Sequence, residues 1–158
     1  MSLEIERKYR VTNNSYQAQS SQCTYYKQGY LSVDKHRTIR IRIVGDEAFI
    51  TIKGATEGCT RKEFEYPIPV ADATEMLDSL SLPGIIEKKR YRYPYEGHLW
   101  EIDEFLGENE GLVVAEIELE SESESFPIPP FIGVEVTGEP RYYNSNLAVK
   151  PYNQWDTK

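Results

Sequence analysis

The sequence predicts an α+β protein that is mainly β, with about eight antiparallel strands and a few flanking helices. Three observations carry this. Segment after segment alternates apolar and polar residues with period two, the spacing at which strand side chains change face. Short polar or glycine-bearing breaks separate several segments, and two of them have hairpin length. Only two stretches carry clear helical spacing, and the 12 Tyr and 9 Pro suit strands and turns better than helices.

In chain order, the first strand is Leu3–Val11, with Leu3, Ile5, Arg7 and Tyr9 on one face and Glu4, Glu6, Lys8 and Arg10 on the other. The polar connector "TNNSYQAQSSQC", with room for one short helix, leads to a second strand at Tyr25–Val33. Arg37–Val44 sets Ile39, Ile41 and Ile43 against Arg40 and Arg42. After "VGDEA", Glu47–Lys53 ends on Lys53. Beyond "KGATEGC", Arg61–Pro69 puts Glu63 and Glu65 opposite Phe64 and Tyr66. "VADATEMLDSL" is the first helix, with Asp72 as its N-cap and Ala73, Met76, Leu77 and Leu80 at helical spacing.

Ile85–Pro94 puts Lys88, Arg90 and Arg92 opposite Tyr91 and Tyr93. After "YEGH", His98–Leu106 sets Glu101 and Asp103 against Trp100 and Ile102. Leu112–Glu120 sets Glu116 and Glu118 against Ile117 and Leu119. "SESESFPIPP" reads as a proline-rich surface connection. "PRYYNSNLAVK", with Pro140 suited to a first turn, is the second helix, at about 140–150. No repeat and no second-domain boundary interrupts the pattern, so residues 1–158 read as a single domain large enough to bury a core.

Bulk properties exclude several classes. With 39% hydrophobic and 28% charged residues, the chain is globular and not disordered. A net charge of −8 opposes general binding to nucleic acid or to an anionic membrane, while leaving room for a local cationic site. No apolar run is long enough to span a bilayer, and the N-terminus enters a strand at once without a signal segment. Cys23 and Cys59 lack metal-ligand spacing and read as two reduced thiols, which places the protein in the cytoplasm.

The charged strand faces admit two readings. Each strand alone shows the hydrophobic-in, polar-out alternation of an ordinary half-buried strand with a solvated outer face. Taken together, acids pair at i, i+2 on four strands and bases concentrate on others, whereas soluble surfaces usually intersperse the signs. Closing about eight strands into a barrel would instead turn the charged faces inward, around a water-filled tunnel. Carboxylates from neighbouring strands could then share a hard divalent cation, and Arg and Lys would suit phosphate oxygens. The eight acids Glu4, Glu6, Glu63, Glu65, Glu101, Asp103, Glu116 and Glu118 outnumber the six bases Lys8, Arg40, Arg42, Lys53, Lys88 and Arg90, so such a lumen alone would not favour a polyanion, and a divalent cation or two would neutralise or reverse its field.

These residues resemble a known family. "EIERKYRV" matches the E-x-E-x-K signature of the CYTH superfamily, the triphosphate tunnel metalloenzymes, and is followed in the family's order by "RIR", "TIK", "RKEFEY", "EKKRYRY", "EIDEF" and "AEIELE". The likeness is to compact bacterial members and covers nearly the whole chain. It implies an eight-stranded antiparallel tunnel that binds a triphosphate and one or two Mg²⁺ or Mn²⁺ ions. By this resemblance Glu4, Glu6, Glu116 and Glu118 are the main metal-binding acids, Glu63 and Asp103 complete the set, and Glu65 and Glu101 extend it. Lys8, Arg40, Arg42, Lys53, Lys88 and Arg90 grip the phosphates, with Arg92 at the end of the row and Tyr30 near the tunnel. Some relatives carry a Lys just after the C-terminal Arg-Tyr, where this chain has Tyr143. If a C-terminal helix closes one mouth, Arg141 is the residue there to reach substrate.

The implied activity is metal-dependent hydrolysis of a triphosphate, with inorganic tripolyphosphate leading. Glu4, Glu6, Lys8, Glu116 and Glu118 would carry the chemistry by position and charge, without a covalent intermediate. His36 and His98 read as surface residues. The same tunnel also implies adenylate cyclase, thiamine triphosphatase and RNA triphosphatase as alternatives, and a polyphosphate-binding module without turnover stands outside the enzyme class. The expected partner is a small-molecule triphosphate, not a nucleic acid or a membrane. Outward apolar strand faces call for cover that a homodimer would supply.

Overall fold

In the computed structural model, which describes residues 2–158, the strands close on themselves. They are β1 (Leu3–Val11), β2 (Gln22–Asp34), β3 (Arg37–Val44), β4 (Glu47–Lys53), β5 (Thr60–Ile68), β6 (Ile86–Tyr95), β7 (His98–Phe105), β8 (Val113–Glu118) and β9 (Ile132–Glu135). The pairing order is β5-β4-β3-β2-β6-β7-β8-β1, and β1 returns to β5 to complete an eight-stranded antiparallel barrel. Hairpin chemistry sets much of this register. Tyr95 pairs with His98 across Glu96 and Gly97, both at positive φ (46° and 84°), as a two-residue turn with matching twist requires.

Closure depends on β1 splitting its edge between two partners. Leu3, Ile5 and the residue between them pair with Lys62–Thr60 of β5, after which β5 diverges. Beyond that point β9 takes over the same edge, pairing Tyr9 with Glu135 and Val11 with Ile132. The opposite edge of β1 pairs Glu6–Arg10 with Glu118–Val114 of β8. The ninth strand is additional to the eight expected; it lies just past the proline-rich connection.

Other boundaries also moved. β2 begins at Gln22, ahead of the expected Tyr25, because Gln22–Gln28 pair continuously along β6. The first predicted helix, α2 (Val70–Ser79), has Pro69 at its N-cap position with no side-chain cap, and Asp72 sits inside its first turn, where a carboxylate favours the helix dipole. The polar connector does hold a short helix, α1 (Tyr16–Gln19). The C-terminal segment is helical in two pieces, a 3₁₀ turn at Pro140–Tyr142 and α3 (Asn144–Val149), with Tyr143 extended between them. Among the described residues no helix is long and apolar enough to cross a membrane.

The apolar strand faces point outward and are covered from outside. Tyr9, Trp100, Ile102, Ala115 and Ile117 form one buried cluster with Tyr16 of α1 and Phe131. Ile41 and Ala48 pack under Ala73 and Leu77 of α2. That helix lies so close to β2 that a Cβ on Gly29 would stand 2.8 Å from both Leu77 and Ile85 side-chain carbons. The cover is incomplete where β1, β4 and β5 meet, and Leu3, Ile52, Phe64 and Tyr66 are exposed there.

Inside, one end of the barrel is apolar. Ile86, Phe105 and Val114 share the inward face with the charged rows and join Tyr142, Leu147, Tyr152 and Trp155 of the C-terminal segment in a buried plug. Gly84, at φ +98°, allows the C-terminal segment to seat, since a Cβ there would stand 1.9 Å from the Ala148 carbonyl oxygen. The lumen is therefore a cup with a dry floor.

Candidate active site

Above the floor lies a cavity of about 170 Å³ whose wall is almost entirely charged or polar. Strand parity builds it, because each inward side chain repeats two residues along. Glu4, Glu6 and Lys8 enter from β1, Arg40 and Arg42 from β3, Lys53 from β4, and Glu63 and Glu65 from β5. Lys88 and Arg90 enter from β6, Glu101 from β7, and Glu116 and Glu118 from β8. Tyr30 also lines the cavity, whereas Arg92 is only half-buried and lies beside Glu101 at 3.7 Å.

Register then decides which charges meet. Lys53 sits 3.0 Å from Glu4 and 3.3 Å from Glu63, Lys8 lies 3.6 Å from Glu116, and Arg40 lies 3.3 Å from Glu65. Burial works against ionisation of Glu4, but Lys53 outweighs it and holds the carboxyl at about 2. Elsewhere acid faces acid: Glu6 pairs across the ladder with Glu118, and Glu101 with Glu116. Like charges directly opposite oppose each other. Among the described residues no base lies within ion-pair distance of Glu6 or Glu118. Burial, then Glu116 and Glu4, push the Glu6 carboxyl up to about 8, and burial with Glu4 and Glu101 raises that of Glu118.

The cations show the complementary shortage. Arg42 donates to the neutral Gln28 Oε1 at 2.8 Å, and burial together with the Arg40 and Arg90 charges pushes it down to about 9. The Nε of Arg40 is buried without a hydrogen-bond partner among the described residues. Such a donor is suited to an incoming oxygen anion.

Besides Arg92, two residues singled out in the sequence do not border the cavity, Asp103 and Arg141. Asp103 is fully buried in the wall, where its carboxylate accepts from Lys88 Nζ at 2.7 Å and from Arg90 Nε and Nη2 at 2.7 and 2.9 Å. Burial is outweighed by those two bases, which hold Asp103 far below the usual carboxylate range. Arg141 lies outside the barrel, donating to the Thr157 carbonyl at 2.6 Å and lying 4.3 Å over the Trp155 ring.

The structure adds residues that sequence reasoning passed over. Arg61 lines the cavity from β5, two steps before Glu63 on the same face, so the parity that found Glu63 reaches it too. Its guanidinium donates to the Gly54 carbonyl at 3.1 Å and to Thr38 Oγ1 at 3.3 Å. Tyr143, Asn144 and Ser145 line the cavity from the C-terminal segment, in the region where Arg141 was expected to act. Thr51, Oγ1 within 2.8 Å of Glu65, shares the inward face of β4 with Lys53.

Carboxylate oxygens in acid–acid register are a donor set that suits a hard divalent cation. Among the described residues no three Asp, Glu, His or Cys side chains are already gathered as a metal cluster, since several acids hold bases instead. Cys23 is exposed, Cys59 is buried, and both are free thiols.

Comparison with known proteins agrees with this architecture. The CYTH domain family matches residues 2–150. An inorganic triphosphatase of Acetivibrio thermocellus is 48% identical over 155 residues, covering 98% of this chain and 99% of the relative. An inorganic triphosphatase of Nitrosomonas europaea is 36% identical, covering 92% and 97%. A crystal structure of an inorganic triphosphatase superposes with a TM-score of 0.66 at 32% identity, covering 94% of this chain and 96% of that one.

Proposed function

This chain belongs to the CYTH family, and we propose that it is a metal-dependent triphosphatase that hydrolyses inorganic tripolyphosphate to pyrophosphate and phosphate inside the cup. The observation that carries this reading is the sorting of charge in one cavity, with acids facing acids on β1 and β8 and Arg42 of β3 held by a neutral amide in place of an anion. Two relatives named as inorganic triphosphatases, each matched over nearly its whole length, support it.

Glu4, Glu6, Glu116 and Glu118, with Glu63, would hold Mg²⁺ or Mn²⁺. Asp103 is left out of that set because it is fully buried in the wall behind the cavity, with its oxygens held by Lys88 and Arg90. When bound, the ion supplies charge neutralisation for phosphoryl oxygens and acidifies a coordinated water. Arg40, Arg42, Lys53, Lys88 and Arg90, together with Arg61, orient the phosphate chain, and Lys8 lies on the β1 row between Glu6 and the floor. A carboxylate oxygen of this set that the cation leaves free takes the proton of the attacking water. The P–O bond to the leaving pyrophosphate then breaks. The two free thiols fit a cytoplasmic site of action.

The test is to incubate the purified chain with tripolyphosphate, ATP, thiamine triphosphate or pyrophosphate, each with Mg²⁺, Mn²⁺ or EDTA, and to quantify products. Metal-dependent phosphate release, greatest from tripolyphosphate and lost in Glu6→Ala, is the expected result. Cyclic nucleotide plus pyrophosphate from ATP would make it a cyclase. Thiamine triphosphate as the best substrate would reassign the specificity, and tight tripolyphosphate binding without release would make it a sensor.

A further inference from the structure

At the base of the cavity two carboxamides, Gln28 and Asn144, link Arg42 to Lys88 where carboxylates could have stood. Gln28 is fully buried on β2, and its Oε1 accepts from Arg42 Nε at 2.8 Å. Its Nε2 donates to Asn144 Oδ1 at 3.2 Å and to the Tyr30 hydroxyl at 3.2 Å. The same Asn144 Oδ1 accepts from Lys88 Nζ at 2.9 Å.

The amide orientations follow from the partners. Arg42 and Lys88 are donors only, so both amide oxygens must face them. Gln28 is then left with its nitrogen toward Asn144, which needs a donor there, and the chain Arg42–Gln28–Asn144–Lys88 is self-consistent. Asn144 Nδ2 takes no protein partner among the described residues, and Asn144 borders the cavity. Its N–H groups are therefore available to an oxygen anion.

A neutral relay differs from an ion pair in what it leaves behind. An acid at either position would hold the cations in place equally well, yet would cancel charge that a polyanion needs. On the other side of Lys88 an acid does exactly that work structurally, in the form of Asp103, which is shared with Arg90. We propose that Gln28 and Asn144 are positioning residues, an uncharged relay by which the C-terminal segment aims Arg42 and Lys88 without neutralising them, and that Asn144 Nδ2 adds a direct contact to a phosphate oxygen. This deepens the triphosphatase reading and rests on it.

Asn144→Asp tests it in the full-length protein. The substitution keeps the oxygen that accepts from Lys88 and Gln28, adds one negative charge and removes the N–H donors. The expected result is that KM for tripolyphosphate with Mg²⁺, and Kd for tripolyphosphate in EDTA by calorimetry, each rise about tenfold. The thermal midpoint should hold or rise, and the binding deficit should shrink as NaCl is raised, because a charge effect is screened and a packing effect is not. Gln28→Glu, which keeps the bond to Arg42, gives the same readout from the other end of the relay and serves if Asn144→Asp does not fold. Wild-type KM and Kd in a folded Asn144→Asp or Gln28→Glu, or a deficit that ignores salt, would overturn the relay alone. A wild-type chain that neither binds nor cleaves tripolyphosphate would overturn the triphosphatase reading and the relay with it.

Discussion

Asp103 and Glu6 are both inward-facing carboxylates on barrel strands, yet their surroundings are opposite. Asp103 looks across the ladder at Arg90 on β6 and at Val114 on β8, so two bases reach one acid against an apolar backing. Glu6 looks across at Glu118 and stands near Glu4 and Glu116. The first region is satisfied by the protein itself, whereas the second is left with surplus negative charge. Parity sends both residues inward, but register decides whether each becomes framework or site.

The largest expected effect comes from breaking the satisfied region. Asp103→Ala leaves Lys88 and Arg90 buried without their shared acid, and uncompensated buried charge typically costs about 3–5 kcal/mol. Chemical denaturation should show that loss, with activity falling because the chain unfolds. Addition of metal should not rescue it. A stability within 1 kcal/mol of wild type would mean that the triad is not framework.

Breaking the unsatisfied region should do the reverse. Glu6→Gln removes one of several crowded acids, so the metal-free protein should keep or gain stability. Tripolyphosphatase activity should nevertheless fall at least about 100-fold, beyond the effect common for an outer partner of a metal ligand. A Glu6→Gln protein that is both destabilised and active would place Glu6 with Asp103 and dissolve the comparison.

Titration sharpens the contrast on a smaller scale. The Glu6 carboxyl stands at about 8 in the fold against 4.5 ordinarily, so between those values the folded chain keeps a proton that the unfolded chain has released. Stability without metal should therefore decline as pH rises from about 5 to 8, by roughly 1–3 kcal/mol, and the decline should flatten in Glu6→Gln. Glu4 runs the other way. Held at about 2 by Lys53 against the cost of burial, it contributes stability above pH 4.5 that is lost as pH falls toward 2. Saturating Mg²⁺ should remove the alkaline decline, since the ion favours the ionised form of Glu6. Thermal midpoints across pH with Mg²⁺ or EDTA measure all three.

This division explains what was legible in the sequence. Period-two alternation exposed the strands and nearly every inward residue, because a strand's faces are fixed by local geometry alone. Cross-strand partners are set by closure, so nothing in "EIDEF" distinguishes Asp103, opposite Val114, from Glu101, opposite Glu116. The short β9 stayed hidden behind its prolines and exists because β5 leaves the edge of β1 early. Asn144 and Gln28 carry no charge to draw notice, and only the seating of α3 against the barrel brings them together.

The smallest expected effect compares two arginines that the sequence treated in the opposite sense. Arg141 was assigned to the mouth, but the extended backbone at Tyr143 turns Tyr143, Asn144 and Ser145 to the cavity and leaves Arg141 outside on Trp155. Arg61 drew no assignment, yet it borders the cavity and makes only neutral hydrogen bonds there. Arg61→Ala should raise KM for tripolyphosphate about tenfold, the scale of a hydrogen bond to a charged group. Arg141→Ala should leave KM and kcat within about twofold and cost about 0.5–1 kcal/mol of stability from the lost stacking. If steady-state kinetics gave the reverse order, with Arg141→Ala raising KM and Arg61→Ala silent, the C-terminal segment would have to turn over on substrate binding, and the cup would have its phosphate grip at the wrong end.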